Sequence, residues 1–306
     1  MFVNTENKFI WKNGKFESWN NTNVHILSHT LHYGTGVFEG VRAYKTKKGA
    51  AIFRLSDHTN RLFDAASKLN IKIPFSRDEL NHIQCNVLNQ NRLAEGYIRP
   101  IVYLGNEGLG LRAKDLSVNV AVAAWEWPSY MDPVAKENGI SVIKSSHKQY
   151  ENPLHSGNKI IGTYFSNTMA LHEALDKGAD EAIMMDMNGF ISEGSGENIF
   201  IVKEGEIMTP TTNHCLNGIT RQSVIQIAKD LSINVIEKDL TYEDLKNADE
   251  AFFTGTAVEI TPIAIIDQSS ISDGKRGPVT TILQDTFLSI VSGQNSQYSN
   301  WLTYTS

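Results

Sequence analysis

Apolar residues change their spacing several times along the chain, and each change marks an element. Near the start, Phe9-Ile10-Trp11 and Phe16 flank Asn13-Gly14, the short-range signal of a β-hairpin. The run Ala51 to Leu55 predicts a strand. A helix follows from Ser56, a good N-cap residue, to about Leu69. A second helix opens on a capping box, Ser76 with Glu79, and continues through Leu80, Ile83 and Val87 at helical spacing. Tyr97 to Leu104 and Val118 to Trp125 predict strands.

Trp127 to Pro133 is aperiodic and carries Pro128 and Pro133, and Glu137-Asn138-Gly139 has turn chemistry. The expected organisation is a smaller N-terminal α/β domain over 1–127, an interdomain loop over 128–138 and a larger C-terminal α/β domain over 139–306. In the second half, Ile140 to Ile143 predicts a strand, and Gly162 to Asp176 a helix stopped by Gly178. Asn188-Gly189 joins the runs Ala182 to Asp186 and Phe190 to Ser192. Glu204-Gly205 joins Asn198 to Lys203 and Glu206 to Met208. Gly218 to Leu231 predicts a helix, and Phe252 to Thr256 a strand ending in a small-residue turn. Hairpins interspersed with helices point to an α+β, mixed α/β architecture with mixed sheets.

Composition narrows the function classes. Of the 306 residues, 41% are hydrophobic and 20% charged, as in ordinary globular proteins. Lys and Arg total 28 against 34 Asp and Glu, a net charge of −6, which argues against non-specific nucleic-acid binding. Cys85 and Cys215 stand far apart and form no CxxC pair. That argues against a disulfide framework or structural zinc, and a reducing, cytoplasmic setting is expected. Apolar runs such as Val118 to Trp125 fall short of the ~20 residues a membrane helix needs. The first residues lack the apolar core of a signal peptide.

Several local patterns carry candidate chemistry. His25, His29 and His32 share helical spacing, but the Glu of HExxH is missing and Gly34-Thr35-Gly36 follows at once; structural histidines are expected, with no metal. Gly105, Gly108 and Gly110 have the wrong order for a dinucleotide loop and precede a strand, so a loop near a site is expected instead. Leu216-Asn217-Gly218-Ile219-Thr220-Arg221 enters a helix through glycine and offers amides and a positive dipole end to an anion. Gly255-Thr256-Ala257 is a second turn with a hydroxyl, and the two turns could share one phosphate. Tyr97 and Arg99 project from one face of their strand, where the Arg suits either a carboxylate ligand or a surface ion pair. Glu193 and Glu197 lie in a glycine-rich bend, open to acid–base work or to a plain exposed turn. Nothing in the pattern singles out Lys159 among the lysines.

Seven stretches together resemble the class IV aminotransferases, pyridoxal-phosphate enzymes of fold type IV, and among them the branched-chain amino acid aminotransferases. They are SHTLHYGTGVFEGVRAY (Ser28 to Tyr44), FRLSDHTNRL (Phe53 to Leu62), YIRP (Tyr97 to Pro100), NKIIGTYFSN (Asn158 to Asn167), DMNGFISEGSGENIF (Asp186 to Phe200), LNGITR (Leu216 to Arg221) and FFTGTAVEITPI (Phe252 to Ile263). They occur in the family's order, and the similarity runs from about Ile10 to Trp301. The resemblance implies a two-domain fold with the active site in the interdomain cleft, and pyridoxal 5'-phosphate as cofactor. The implied reaction moves the amino group of leucine, isoleucine or valine reversibly to 2-oxoglutarate, giving branched-chain 2-oxo acids and glutamate. A D-amino acid or (R)-amine aminotransferase, or an aminodeoxychorismate lyase, is the alternative within the class; YIRP and GTAVEITPI favour the branched-chain group.

The resemblance also distributes roles. Lys159 matches the lysine that forms the Schiff base and moves the proton, and Glu193 the acid paired with the pyridine nitrogen. Tyr164 matches the partner of the phenolate oxygen. Arg61, Gly218, Ile219, Thr220 and Thr256 match the phosphate site. Tyr33, Phe38, Trp127 and Tyr130 match the apolar pocket. Thr256, Ala257 and Tyr97 match the α-carboxylate site, and Arg99 the site for glutamate's distal carboxylate. Leu109 lies in a loop implied to reach the neighbouring subunit's site. Asn217 stands where the family commonly has Pro. A homodimer, or a hexamer built as a trimer of dimers, is implied, with small molecules rather than nucleic acid or membrane as partners.

Overall fold

A computed structural model describes residues 8–127, 133–149 and 157–305. These residues form two compact units. The first gathers 8–127, 158–162 and 290–305, and the second 133–149, 157 and 163–289.

The first unit is built on one antiparallel sheet. Its order is Leu302–Tyr304, Gly49–Phe53, Val41–Thr46, Gly96–Leu104, Val118–Trp125, Phe9–Lys12 and Lys15–Ser18, with Gly36–Phe38 also paired to Gly96–Leu104. The hairpin Phe9–Lys12 to Lys15–Ser18 turns at Asn13 and Gly14, both at positive φ (47° and 99°), as an Asn-Gly turn requires. Along Gly96–Leu104, Ile98 and Val102 point into the core that the helices Leu55–Lys68 and Arg77–Gln90 cover. The two-residue period turns Tyr97 and Arg99 to the opposite face.

The capping box of the second helix forms as its sequence predicts: Glu79 N donates to Ser76 Oγ (3.2 Å) and Ser76 N to Glu79 Oε2 (2.7 Å). The first helix differs from expectation. It begins at Leu55, with Arg54 rather than Ser56 at the N-cap and in the left-handed region (φ 48°). Strand Gly49–Phe53 runs straight into the helix; the sharp turn is held from outside by Trp301, whose carbonyl accepts from Arg54 N (2.7 Å), and locally by Asp57 in the first helical turn, which accepts from Arg54 Nε (2.6 Å).

The second unit holds a mixed sheet in the order Ile191–Glu193, Glu181–Met185, Ile140–Lys148, Glu259–Ile266, Glu250–Gly255, Asn198–Lys203, Glu206–Thr209 and Val235–Glu237. Ile140–Lys148 runs parallel to both of its neighbours, and the Glu206–Thr209 pair with Val235–Glu237 is also parallel. Helix Tyr164–Asp176 packs on Ile140–Lys148 and Glu181–Met185. The helix expected from Gly162 opens as a 3-10 turn, Ile161–Thr163, ahead of the α-helix proper. Glu137 and Asn138, expected in a turn, end a short helix, Pro133–Asn138, stopped by Gly139 at φ +77°. No helix among the described residues is long and apolar enough to cross a membrane.

Backbone contacts set the register of segment 158–162 within the first unit. Phe38 N donates to Lys159 O (3.2 Å), Ile160 bridges Val37, and Gly162 N donates to Gly34 O (3.0 Å). Gly34 ends helix His29–Tyr33 at φ +67°, and a Cβ there would stand 2.4 Å from Gly162 Cα. The left-handed conformation and the overlap together predict that Gly34→Ala lowers unfolding free energy by roughly 2–5 kcal/mol. Gly162→Ala, whose Cβ would meet Gly34 Cα at 3.2 Å without a positive φ, costs much less. Urea unfolding of the two variants measures the ranking; equal losses would mean that the two backbones part freely.

Candidate active site

In the first unit, the face opposite the helices collects aromatic rings around one guanidinium. Arg99 lies 4.8 Å from the Phe38 ring centroid and 5.3 Å from that of Tyr97, and its Nη2 donates to Tyr97 Oη (3.2 Å). Tyr97 stacks on Trp127 (4.9 Å) and touches Trp125 (5.2 Å). Gly40 makes room for the Tyr97 hydroxyl, which would lie 1.8 Å from a Cβ. Arg99 Nε is buried without a hydrogen-bond partner, and no carboxylate among the described residues pairs with this side chain. Half-buried Lys159 places Nζ 5.6 Å from the Phe38 centroid. Phe38, Tyr97, Arg99, Trp127 and Lys159 are thus brought together.

Tyr33 is exposed and packs its ring against His29 (4.5 Å). Leu109 is exposed beside Gly110, whose carbonyl meets His29 Nε2 (3.3 Å). Tyr130 lies outside the described residues. The three spaced histidines face different partners: His25 Nδ1 accepts from Leu27 N, His29 Nδ1 meets Thr35 Oγ1, and His32 Nε2 meets Ile26 O. Among the described residues no His, Cys, Asp or Glu group has the arrangement to hold a metal.

Arg61 points into a cluster that pattern reading missed. Its Nε and Nη2 donate to the two carboxylate oxygens of Glu39 (2.6 and 2.9 Å), and His58 Nδ1 meets Glu39 Oε2 (2.8 Å). The signal was present: Glu39 is an acid inside the apolar run Gly36 to Val41, and His58 precedes Arg61 by three residues on one helix face.

In the second unit, Glu193 ends its strand, buried, with three donors about it. Gln149 Nε2 reaches Oε1 (2.5 Å), while Leu216 N (3.0 Å) and Asn198 Nδ2 (3.4 Å) reach Oε2. Asn198 also donates to Leu216 O (2.7 Å), and its Oδ1 would lie 2.0 Å from a Cβ on Gly218. One Asn therefore fixes both Glu193 and the loop that opens helix Ile219–Asp230. Gly218 caps that helix without a side chain, beside buried Ile219 and Thr220. Asn198 pairs in register with Thr254, so the Gly255-Thr256-Ala257 turn leaves the neighbouring strand close by. Glu197 fixes the bend: its carbonyl accepts from Gly194 N (2.7 Å) and its Oε2 from Gly196 N (2.9 Å). Tyr164, half-buried, opens the helix whose Asn167 donates to Ser195 O (2.8 Å). Gln149 and Asn198 carried no distinguishing signal in the pattern. A helix start and a hydroxyl-bearing turn beside a hydrogen-bonded carboxylate suit a phosphorylated heterocycle with a protonated ring nitrogen.

The chain matches the family described as Amino-transferase class IV over residues 36–266. It is 48% identical over 295 residues to the branched-chain-amino-acid aminotransferase of Pseudomonas aeruginosa, covering 96% of each chain. It is similar to the crystal structure of a branched-chain amino acid aminotransferase from T.th. with pyridoxamine 5'-phosphate (TM-score 0.96, 41% identity, 99% of this chain and 100% of that one). The same enzyme complexed with N-(5'-phosphopyridoxyl)-L-glutamate gives a TM-score of 0.94 at 41% identity, with 99% and 100% covered.

Cys215, next to Leu216, reports on the loop that holds Glu193. Burial first, and the Glu193 charge next, push its thiol up to about 12. At pH 8 Cys215 is therefore expected to stay inert to a thiol-disulfide reagent in the folded protein and to react on unfolding. Mass-spectrometric mapping of the labelled cysteines checks this; rapid native labelling of Cys215 would show the loop open to solvent.

Proposed function

The chain belongs to the class IV aminotransferases, and from that membership we propose how its residues divide the work of a branched-chain amino acid aminotransferase. The reaction transfers the amino group of leucine, isoleucine or valine reversibly to 2-oxoglutarate. Pyridoxal 5'-phosphate, when bound, supplies the sink for the electron pair left at the substrate α-carbon.

Lys159 is assigned the covalent bond to the cofactor and the proton that moves at the substrate α-carbon. Glu193 holds the proton on the pyridine nitrogen, with Gln149, Asn198 and Leu216 N keeping the carboxylate in place. Tyr164 bonds the phenolate oxygen. Arg61, Gly218, Ile219, Thr220 and Thr256 receive the phosphate. Tyr33, Phe38, Trp127 and Tyr130 line the apolar pocket, and Tyr97, Thr256 and Ala257 receive the α-carboxylate.

The observation that carries the substrate assignment is Arg99. A half-buried guanidinium whose buried Nε lacks a hydrogen-bond partner, with no acid partner among the described residues, is set to receive a carboxylate. Because it lies among Phe38 and Tyr97, the same walls accept a leucine side chain when no distal charge arrives. A homo-oligomer, dimer or trimer of dimers, is supported by exposed Val24, Ile26, Leu31, Leu109 and Leu111, on two segments joined at His29. Leu109 is assigned to the neighbouring subunit's site. A cytoplasmic location is in keeping with the two free thiols.

Borohydride reduction of the yellow holoenzyme should fix the cofactor on Lys159, and Lys159→Ala should be colourless with turnover lower by orders of magnitude. An adduct mapped to another lysine would overturn the assignment. Arg99→Leu removes a charge-assisted bond worth about 1.5–3 kcal/mol, so kcat/KM for glutamate should fall about ten- to a hundredfold. The leucine half-reaction should change much less. Single-turnover spectra of the two half-reactions separate the effects; equal losses would place Arg99 at the α-carboxylate or in the scaffold.

A further inference from the structure

Glu39 is fully buried between Val37 and Val41, themselves without exposed surface. A carboxylate in such a place is costly unless paired and hydrogen-bonded. Here every contact is supplied. Arg61 grips both oxygens, His58 Nδ1 meets Oε2, and Gly40 N donates to Oε2 at 3.3 Å. His58 and Arg61 stand one turn apart on helix Leu55–Lys68, so one helix face closes on one acid. Burial alone would raise the Glu39 carboxyl, but the Arg61 charge and the bonds from His58 and Arg61 outweigh it and hold it below the usual carboxylate range. Burial pushes the His58 imidazole down against the pull of Glu39, so His58 serves as a neutral Nδ1–H donor.

A buried ion pair of this kind is a weak stabiliser compared with apolar packing, but it is specific in direction. The guanidinium is a planar fork of five donors; fixing Nε and Nη2 on a carboxylate fixes where the whole plane points. Glu39 is itself held at both ends of its peptide. Its N–H donates to Pro100 O (2.9 Å), and the preceding residue, Phe38, donates to the Lys159 carbonyl.

We propose that Glu39 is a positioning residue for the cofactor phosphate: its carboxylate, with His58 as second anchor, holds Arg61 in the orientation that phosphate binding requires. This rests on the reading that Arg61 receives the phosphate. Glu39 itself touches neither cofactor nor substrate in this role.

The test compares pyridoxal phosphate with pyridoxal, which lacks the phosphate, in titrations of the stripped enzyme followed by absorbance and fluorescence. Glu39→Gln keeps the size and removes the charge. It should raise the dissociation constant for pyridoxal phosphate by about ten- to a hundredfold, the range of one charge-assisted bond. Pyridoxal binding should move less than about threefold, within the spread of a remote substitution. In an Arg61→Ala background, Glu39→Gln should add little, because the two act through one contact. If Glu39→Gln yields no folded protein by circular dichroism, Glu39→Asp, which shortens the reach and keeps the charge, takes its place with the same readouts. Equal loss of both ligands, or unchanged pyridoxal phosphate binding in a Glu39 variant while Arg61→Ala weakens it selectively, overturns the proposal. If Arg61→Ala itself fails to discriminate the two ligands, the phosphate reading of Arg61 falls, and the role of Glu39 falls with it.

Discussion

Where Lys159 can stand is decided by two glycine backbones that meet at Gly34 and Gly162. No side chain makes that contact; it depends on the left-handed turn at Gly34 and on the missing Cβ. From it follows the register of segment 158–162 on strand Gly36–Phe38, with Lys159 O taken by Phe38 N and Ile160 sunk in the core. The amine is thereby carried by a short stretch of chain fixed on both sides, while its own side chain is left half-buried beside Phe38. Moving either glycine outward would shift the lysine and Phe38 together.

Each unit then solves the same electrostatic problem with a different device. In the first, Glu39 is neutralised by a guanidinium and carries no net charge outward. In the second, Glu193 accepts from neutral donors, an amide of the backbone and two of side chains. Arg99 is the complement of both: a cation provided with aromatic faces and no anion among the described residues.

Local chemistry was legible where one or two residues decide the outcome. Asn13-Gly14 turns the first hairpin, and Ser76 with Glu79 caps its helix, because each depends only on neighbours. Ser56 misled because the start of its helix is set by Trp301, near the other end of the chain, through the Arg54 amide. Tyr97 and Arg99 could be put on one face from spacing, whereas the lack of an acid for Arg99 among the described residues required the fold. Lys159 had no local signature, since what distinguishes it is the strand its backbone joins; only the likeness of whole stretches pointed to it. Gln149 and Asn198 were invisible for the same reason: their partners at Glu193 and Leu216 come from other strands and loops.

The strand Leu302–Tyr304 closes the edge of the first sheet against Gly49–Phe53, and Trp301 receives the Arg54 amide at the head of the helix that carries His58 and Arg61. On the ribosome this segment is made after every residue of the second unit. The second unit can therefore settle as soon as its own strands have emerged, whereas the first must wait, with an open sheet edge and an unheld helix start, until the 290–305 segment arrives. The half of the protein that is translated first is the half that finishes last. In that interval Gly49–Phe53 is a sheet edge whose backbone groups await Leu302–Tyr304.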